Sequence, residues 1–567
     1  MTLSATFPGA RPRCIAAIES RQLTCIGLTL TIAVIAIGIQ LTLGMLADVS
    51  WLITMDEKWL GGQVPYRDVL EINPPASVLL YLPAVALARL LALRPEFVVS
   101  AFGFASIAAS LGLSALILKR AGLLDSVGPV AYAFTLIALT VLPGQAFCER
   151  DHLAAVYGLP FLAVAAARAA RAPVDARLAL LAGLGAGLMA AIKPPYALVA
   201  IILLPYLARR AGPVALVKGV EYYVAAALGI AYVALVPVAF PDYVARILPL
   251  GLDVYAPIRE PLAALVAAPG PLVAFVLAVA ALRLARADPG EPLVAVPALA
   301  ALGAFVAYLV QGKGWLYQAY PAIAFVAVAA GAALASCPQP RPRVAFGALV
   351  FLVAGLGLIA LDRWPLPLAF VAAGIGAALA WVVEGRRGGA PIVEMGVAGA
   401  LGVACGLFAL DGVETPAIAR ALASLGPHPT VASISESLAF GHPMVRRVGG
   451  IWVQSVPSLW IAAAARRRID EHPGDAALAD RMNAYIEADR DRLVADLERN
   501  RPDALLVGRL DTRFHHWAWS DPKIAAARSD YRLFAVETDT GFPAELWVRA
   551  DLVGLRPALR ENEVATP

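Results

Sequence analysis

Met55-Asp56-Glu57-Lys58-Trp59-Leu60-Gly61-Gly62-Gln63-Val64-Pro65-Tyr66-Arg67-Asp68-Val69-Leu70-Glu71-Ile72-Asn73-Pro74-Pro75 is a polar island in an apolar chain. On its N-terminal side stands Leu23 to Leu46, 24 residues without a charge. On its C-terminal side Pro75 runs directly into another apolar block, 76–93. A bilayer core of about 30 Å needs roughly 20 apolar residues in a helix. In lipid every backbone amide must be satisfied within its own segment, so blocks of this length are helices.

Working outward, the same pattern repeats along the chain. Further apolar blocks lie at 97–118, 127–143, 153–170, 178–192, 196–208, 219–240, 269–284, 292–310, 319–336, 345–361, 365–383 and 393–410. Of 567 residues 60% are apolar and 16% charged, against about 25% charged in globular domains. The sequence therefore predicts an α-helical polytopic membrane protein of about 13 spans over 23–410. The first block lacks a small-residue cleavage site and follows Arg11, Arg13 and Arg21. It reads as a retained span behind a basic cytoplasmic tail, 1–22, and not as a signal peptide.

Charge sets the orientation. Arg168, Arg171 and Arg177, then Arg209, Arg210 and Lys218, then Arg283 and Arg286, then Arg341 and Arg343, then Arg386 and Arg387 fall in alternate connections. The positive-inside rule puts these in the cytoplasm. The loops at 47–75, 144–152, 241–268 and 311–318 are then outside, as is everything after Leu410. Three blocks separate the first two of these outside loops, and an even number of crossings is required. One block between 76 and 143 is accordingly expected to be re-entrant or broken.

After Leu410 the composition changes. Residues 428–567 hold five of the six histidines. Asp475 to Asn500 has apolar residues at helical spacing and stops before Pro502. Short β-rich runs follow at 504–507, 532–536 and 545–548. An extracytoplasmic α/β domain is expected, large enough to bury its own core.

Several function classes are disfavoured. The net charge of +4 is spread among loops, so nothing points to a nucleic-acid partner. The five cysteines, Cys14, Cys25, Cys148, Cys337 and Cys405, make no metal-type pair, and none lies in the C-terminal region. His515-His516 lacks zinc-ligand spacing.

Three polar clusters at span ends are candidates for chemistry. In the first, acids at 56, 57, 68 and 71 crowd the membrane edge. Like charges raise one another's pKa, which suits a general base, although a solvated connector carries acids too. The second is Cys148-Glu149-Arg150-Asp151-His152. A helix N-terminus attracts acids, which accounts for Glu149 and Asp151 but not for Arg150 and His152. The third is Gln311-Gly312-Lys313-Gly314-Trp315-Leu316-Tyr317-Gln318. There glycines let the backbone approach a phosphate while the ammonium supplies charge. Lys193, in Lys193-Pro194-Pro195, and Arg259 fall on the same side and are further cations for a phosphate. A lysine at this depth also fits a snorkelling anchor.

The 55–75 stretch resembles the first extracytoplasmic loop of the GT-C glycosyltransferase superfamily. That family includes lipid A aminoarabinose transferases, protein O-mannosyltransferases, and mycobacterial mannosyl- and arabinosyltransferases. The shared pattern is an acid soon after span one, a Gly-x-x-Pro-Tyr-x-Asp segment, and Pro-Pro at the next span. Here these are Asp56, Gly62 to Asp68, and Pro74-Pro75.

The resemblance implies an inverting transfer from a polyprenyl-phosphate sugar to an envelope glycan, lipid or protein. It places the reaction on the outer face of a bacterial inner membrane. It implies Asp56 as catalytic base, with Glu149 or Asp151 as the second acid. Glu57, Asp68, Asp151 and His152 are then acceptor or supporting residues, and Lys313, Lys193 and Arg259 donor-phosphate ligands. Gln318 stands where the family often has His. A divalent metal shared with Asp56 is left open. A transporter or flippase of lipid-linked sugars is the alternative. Transporters place charges at mid-membrane and often show inverted repeats, whereas these clusters sit at span ends.

Overall fold

The computed structural model of the chain describes residues 10–284, 291–336, 390–538 and 541–553. These fold as two compact units. The first takes the described residues of 1–43, 103–229 and 260–410; the second takes 44–102, 230–259 and 411–567. The first loop and the 230–259 segment fold with the C-terminal residues.

The first unit is helical. Arg150–Ala169 and Leu316–Ala335 are its core, buried over most of their length. Leu316–Ala335 packs against Pro292–Gln311, Pro269–Leu284 and Leu124–Thr140. Small residues allow the approach. A Cβ on Gly331 would stand 2.5 Å from the Phe134 Cβ, the close contact that membrane helices use in place of a hydrophobic drive. The Tyr320 hydroxyl donates to the Ala138 carbonyl at 2.6 Å across the same pair.

Among the described residues six helices are long and apolar enough to cross a bilayer: Gln22–Leu43, Pro95–Arg120, Arg150–Ala169, Val220–Ala239, Pro292–Gln311 and Leu316–Ala335. Shorter apolar helices include Ala176–Ile192 and Gly399–Ala409. Each predicted block through 319–336, and that at 393–410, contains a helix. The blocks 345–361 and 365–383, counted among the 13 expected spans, lie outside the described residues, as do Arg286, Arg341, Arg343, Arg386 and Arg387.

The 47–75 stretch, read from sequence as a polar outside loop, opens with a helix. Span one ends at Leu43, and the chain turns at Gly44 (φ 74°) into a helix, Ala47–Leu60. Val49 through Asp56 are all buried in it. The charges that made the stretch read as a loop lie mainly beyond that buried run.

Block 76–93 is broken into Pro75–Leu79 and Leu82–Leu91. Glu57, before it, and Glu96, after it, both bind the Arg446 guanidinium. The residues flanking this segment thus meet on one guanidinium, and Pro75–Leu91, 17 residues, is among the shorter apolar helices. Pro95–Arg120 then runs about 39 Å at 1.5 Å per residue, long enough to cross. Leu124–Thr140 is kinked where Gly128 takes φ 64°, ψ 161° before Pro129.

In the second unit five strands form one sheet: β1 (Thr430–Ile434), β2 (Ile451–Trp452), β3 (Ala504–Gly508), β4 (Tyr531–Glu537) and β5 (Ala544–Arg549). Their order is β2-β1-β3-β5-β4. β1 runs parallel to both neighbours, with Val431 opposite Ala504; β5 is antiparallel to β3 and β4. The helix expected after Asp475 is Ala476–Asn500, capped by the Asp475 carboxylate on the Leu478 amide at 2.9 Å. It packs against Trp460–Glu471, whose Ala462 amide donates to Asp489 at 2.9 Å. β1 and β2 escaped sequence reading because each is short and lacks a clear alternation.

Candidate functional site

Asp56 lies in the last turns of Ala47–Leu60 and is fully buried. Neither of its carboxylate oxygens has a hydrogen-bond partner among the described residues. Burial, and secondarily the charge of Glu57, pushes its carboxyl up to about 8. A buried acid with free lone pairs and a pKa near the working pH can take a proton from a bound hydroxyl.

Consecutive helical residues point about 100° apart, and Glu57 follows a different path from Asp56. It forms a fork with Arg446, whose Nη2 reaches Oε1 at 3.2 Å while Nη1 donates to Oε2. Asp68 is a turn-former: it accepts from the Val64 amide at 2.8 Å and pairs with exposed Arg67 at 3.6 Å. Glu71, buried, accepts from the Trp51 indole and from the amide and side chain of Asn73. Tyr66 takes a left-handed φ of 67°, uncommon without glycine. Its amide donates to Val69 and its hydroxyl to Asn73, and its ring meets the edge of Tyr243. His442 is buried between Trp51 and Trp452, with ring centroids at 5.5 and 4.6 Å. Burial, then the charges of Arg446 and Lys58, pushes it down to about 3, so it is neutral.

The second cluster belongs to the first unit. Cys148 has φ 63°, and Glu149 follows as the N-cap of Arg150–Ala169. One Glu149 oxygen accepts from the Asp151 amide at 2.9 Å. The other accepts from Arg150 Nε and Nη2 at 3.0 and 2.9 Å. Asp151 accepts from Lys193 Nζ and from the Tyr196 hydroxyl. Glu149, Arg150, Asp151 and His152 are all buried. Two acids face two bases, so charge balance offsets the desolvation that burial demands. The Lys193 ammonium also lies 5.1 Å from the Tyr317 ring centre.

His152 is held by backbone on both sides. Nδ1 accepts from the Cys148 amide at 3.0 Å, so Nε2 carries the proton and donates to the Leu139 carbonyl at 2.8 Å. Lys313 is buried between Gly312 (φ 69°) and Gly314 (φ 74°), conformations that glycine permits. The buried Gln318 Oε1 has no partner among the described residues. Arg259 is exposed.

Two crystal structures of ArnT from Cupriavidus metallidurans share this architecture. One, bound to undecaprenyl phosphate, superposes with a TM-score of 0.54 at 16% identity, covering 93% of this chain and 99% of that one. The apo form gives 0.52 at 15% identity with the same coverage. This chain has the ArnT fold. No protein-family model matches the sequence, and a search of the curated proteins finds no match.

Within this ArnT-like fold the structure joins Glu149, Asp151 and Lys193 into one network, as the sequence could not. It places Asp56 and Glu57 in the second unit, with Asp68 nearby in sequence but engaged in its own turn. Sequence reading missed Tyr196 and Arg446. Tyr196 follows Lys193-Pro194-Pro195 closely enough that one helical turn would bring both to a shared partner. Arg446 carries no local signal at all. Among the described residues no three His, Cys, Asp or Glu side chains gather as a metal site requires.

Proposed function

We propose that this chain is a membrane glycosyltransferase that moves a sugar from a polyprenyl-phosphate donor to a hydroxyl of an envelope glycan, lipid or protein. The observation that carries the reading is Asp56: a buried, unpartnered carboxyl near neutral pKa, within the ArnT fold. One of the ArnT structures is bound to undecaprenyl phosphate, which supports a donor of that chemistry.

Asp56 accepts the proton of the acceptor hydroxyl as its oxygen attacks the anomeric carbon. The bond from that carbon to the phosphate oxygen breaks, its electron pair stays on the phosphate, and the configuration inverts. The donor diester carries one negative charge and the released monoester tends toward two. Lys193 and Lys313 supply positive charge against that gain, with Arg259 as an exposed additional cation. Asp151 and Tyr196 hold Lys193 in place, and Glu149 fixes Arg150. The reaction is assigned to the non-cytoplasmic face of the inner membrane, in keeping with the loop charges.

The test is a deletion strain complemented with wild type or with Asp56→Asn, its envelope lipids and glycans read by mass spectrometry. Wild type should restore one glycosyl modification that the deletion and the Asp56→Asn strain both lack. An unchanged envelope in the deletion strain would overturn the reading. Loss of the modification that Asp56→Asn fully restores would favour a flippase of lipid-linked sugar.

A further inference from the structure

The second unit contains one side chain that binds the helix of Asp56 from far along the sequence. Arg446 lies in the short helix Met444–Arg447, and its side chain is only 10% exposed. Its Nη1 donates to Glu57 and, at 3.1 Å, to the Thr54 hydroxyl. Its Nη2 reaches the other Glu57 oxygen, and its Nε donates to Glu96 at 2.8 Å. One planar guanidinium thus spans two positions of Ala47–Leu60, on either side of Asp56 in sequence, and the first turn of Pro95–Arg120. The backbone is tied as well: Arg94 Nη2 donates to the Arg446 carbonyl at 3.3 Å. Lysine, a point charge, cannot reproduce such a fork.

We infer that Arg446 is a positioning residue for Asp56: it clamps the helix that carries the carboxyl and neutralises Glu57 beside it. This rests on the reading of Asp56 as the base. Arg446 touches no reacting atom and acts through Glu57. Among the described residues, the titratable group that shifts the Asp56 carboxyl is Glu57. The charges of Arg446 and Lys58 both bear on His442. Glu57 is the only one of these that pairs with Arg446. Freed of its partner, Glu57 becomes an uncompensated negative charge one residue from Asp56, and a like charge disfavours ionisation.

The experiment is an infrared titration of the protonated carboxyl band in the purified full-length protein. The Asp56→Asn counterpart of each variant serves as reference and isolates the Asp56 contribution. Wild type should show a midpoint near 8. Arg446→Gln should raise it, by about half a unit or more, and Glu57→Gln should lower it. In a Glu57→Gln background, Arg446→Gln should leave the midpoint where Glu57→Gln put it. Arg446→Lys, which keeps the charge, is the second variant should the Gln form fold poorly; it should shift the midpoint in the same direction by less.

An equal shift in both backgrounds would reduce Arg446 to general support of the fold and overturn the inference. No shift, or a downward one, would do the same. The titration does not depend on turnover, so it is separate from the test of the base. If Asp56→Asn transferred sugar at the wild-type rate, the base reading would fall while the cycle still reported on the clamp.

Discussion

Asp56 combines two properties that pull against each other. Its burial makes the charged form costly, yet a base must be charged to act. With a pKa near 8, the active fraction grows as pH rises, so transfer should increase toward a plateau above that midpoint. Asp56→Asn should lower turnover by about 10²- to 10⁴-fold while leaving undecaprenyl phosphate affinity nearly unchanged, as isotope-labelled lipid binding would show. The stability sign runs the other way. The folded pKa lies above the unfolded value of about 4, so the native state binds the extra proton. That contribution is full below about pH 4 and lost as pH rises through about 8. Asp56→Asn should therefore melt higher than wild type at pH 9 and approach it at pH 5. The second cluster predicts the reverse of a stabilising deletion. Asp151→Ala strands the mostly buried Lys193 and should cost about 3–5 kcal/mol, whereas Asp151→Leu with Lys193→Met should recover most of it. Chemical denaturation in mixed micelles measures both. The acids themselves were legible in the sequence, because charges at the membrane edge are expensive and rarely idle. Their partners were not. Tyr196 lies 45 positions from Asp151, and Arg446 lies 389 from Glu57, and no local pattern encodes such a pairing.

Among elements, span length was the strongest signal, because lipid forces each apolar block into a helix of predictable reach. The cap at Asp475 was equally plain: an acid, then apolar residues at helical spacing, then Pro502 as a stop. What the sequence hid was Ala47–Leu60. Its buried run contains Trp51, Leu52, Ile53 and Met55, but two acids and a lysine follow at once, and the stretch averages out as polar. Parity of crossings predicted that one block between 76 and 143 is broken or re-entrant, without saying which; the structure breaks 76–93 ahead of Pro83, at the start of Leu82–Leu91, and kinks Leu124–Thr140 at Gly128. Close helix contacts were also invisible, because glycines are common throughout the chain. Gly331 is a sharp case, facing Phe134 with no space for a side chain. Gly331→Leu should push apart Leu316–Ala335 and Leu124–Thr140, at a cost of about 1–3 kcal/mol or more. Gly399→Leu, where no atom lies within 4 Å of the added Cβ, is the control. Melting of the two proteins in the same detergent should differ in that order, and equal losses would mean that the Gly331 contact is not limiting.

At the scale of the whole chain, orientation decides whether the proposed chemistry faces a lipid-linked donor outside the cytoplasm. The argument is one of parity. With the basic tail cytoplasmic, as the positive-inside rule predicts, span one would deliver Ala47–Leu60 to the far side. Glu57 and Glu96 meet on one guanidinium, so Pro75–Leu91 would return to that side. Pro95–Arg120 crosses and ends at Lys119 and Arg120. Arg120 stands 3.5 Å from Asp175, in the connection that also carries Arg168, Arg171 and Arg177. The positive-inside rule would place that cationic group in the cytoplasm. On that assignment Leu124–Thr140 would cross outward to Glu149, and two crossings, not three, would join the 47–75 and 144–152 stretches. Single cysteines in a background lacking the five native ones test every step. Probes at Gln63, Leu93, Trp315 and Asp475 should react with a membrane-impermeant maleimide in intact cells. Probes at Lys119 and Pro173 should react only after permeabilisation. Leu93 is the discriminating position: reaction only after permeabilisation would make Pro75–Leu91 a true crossing and invert everything downstream of it. The Glu149 and Lys193 cluster would then face the cytoplasm, and a donor presented outside could not reach it.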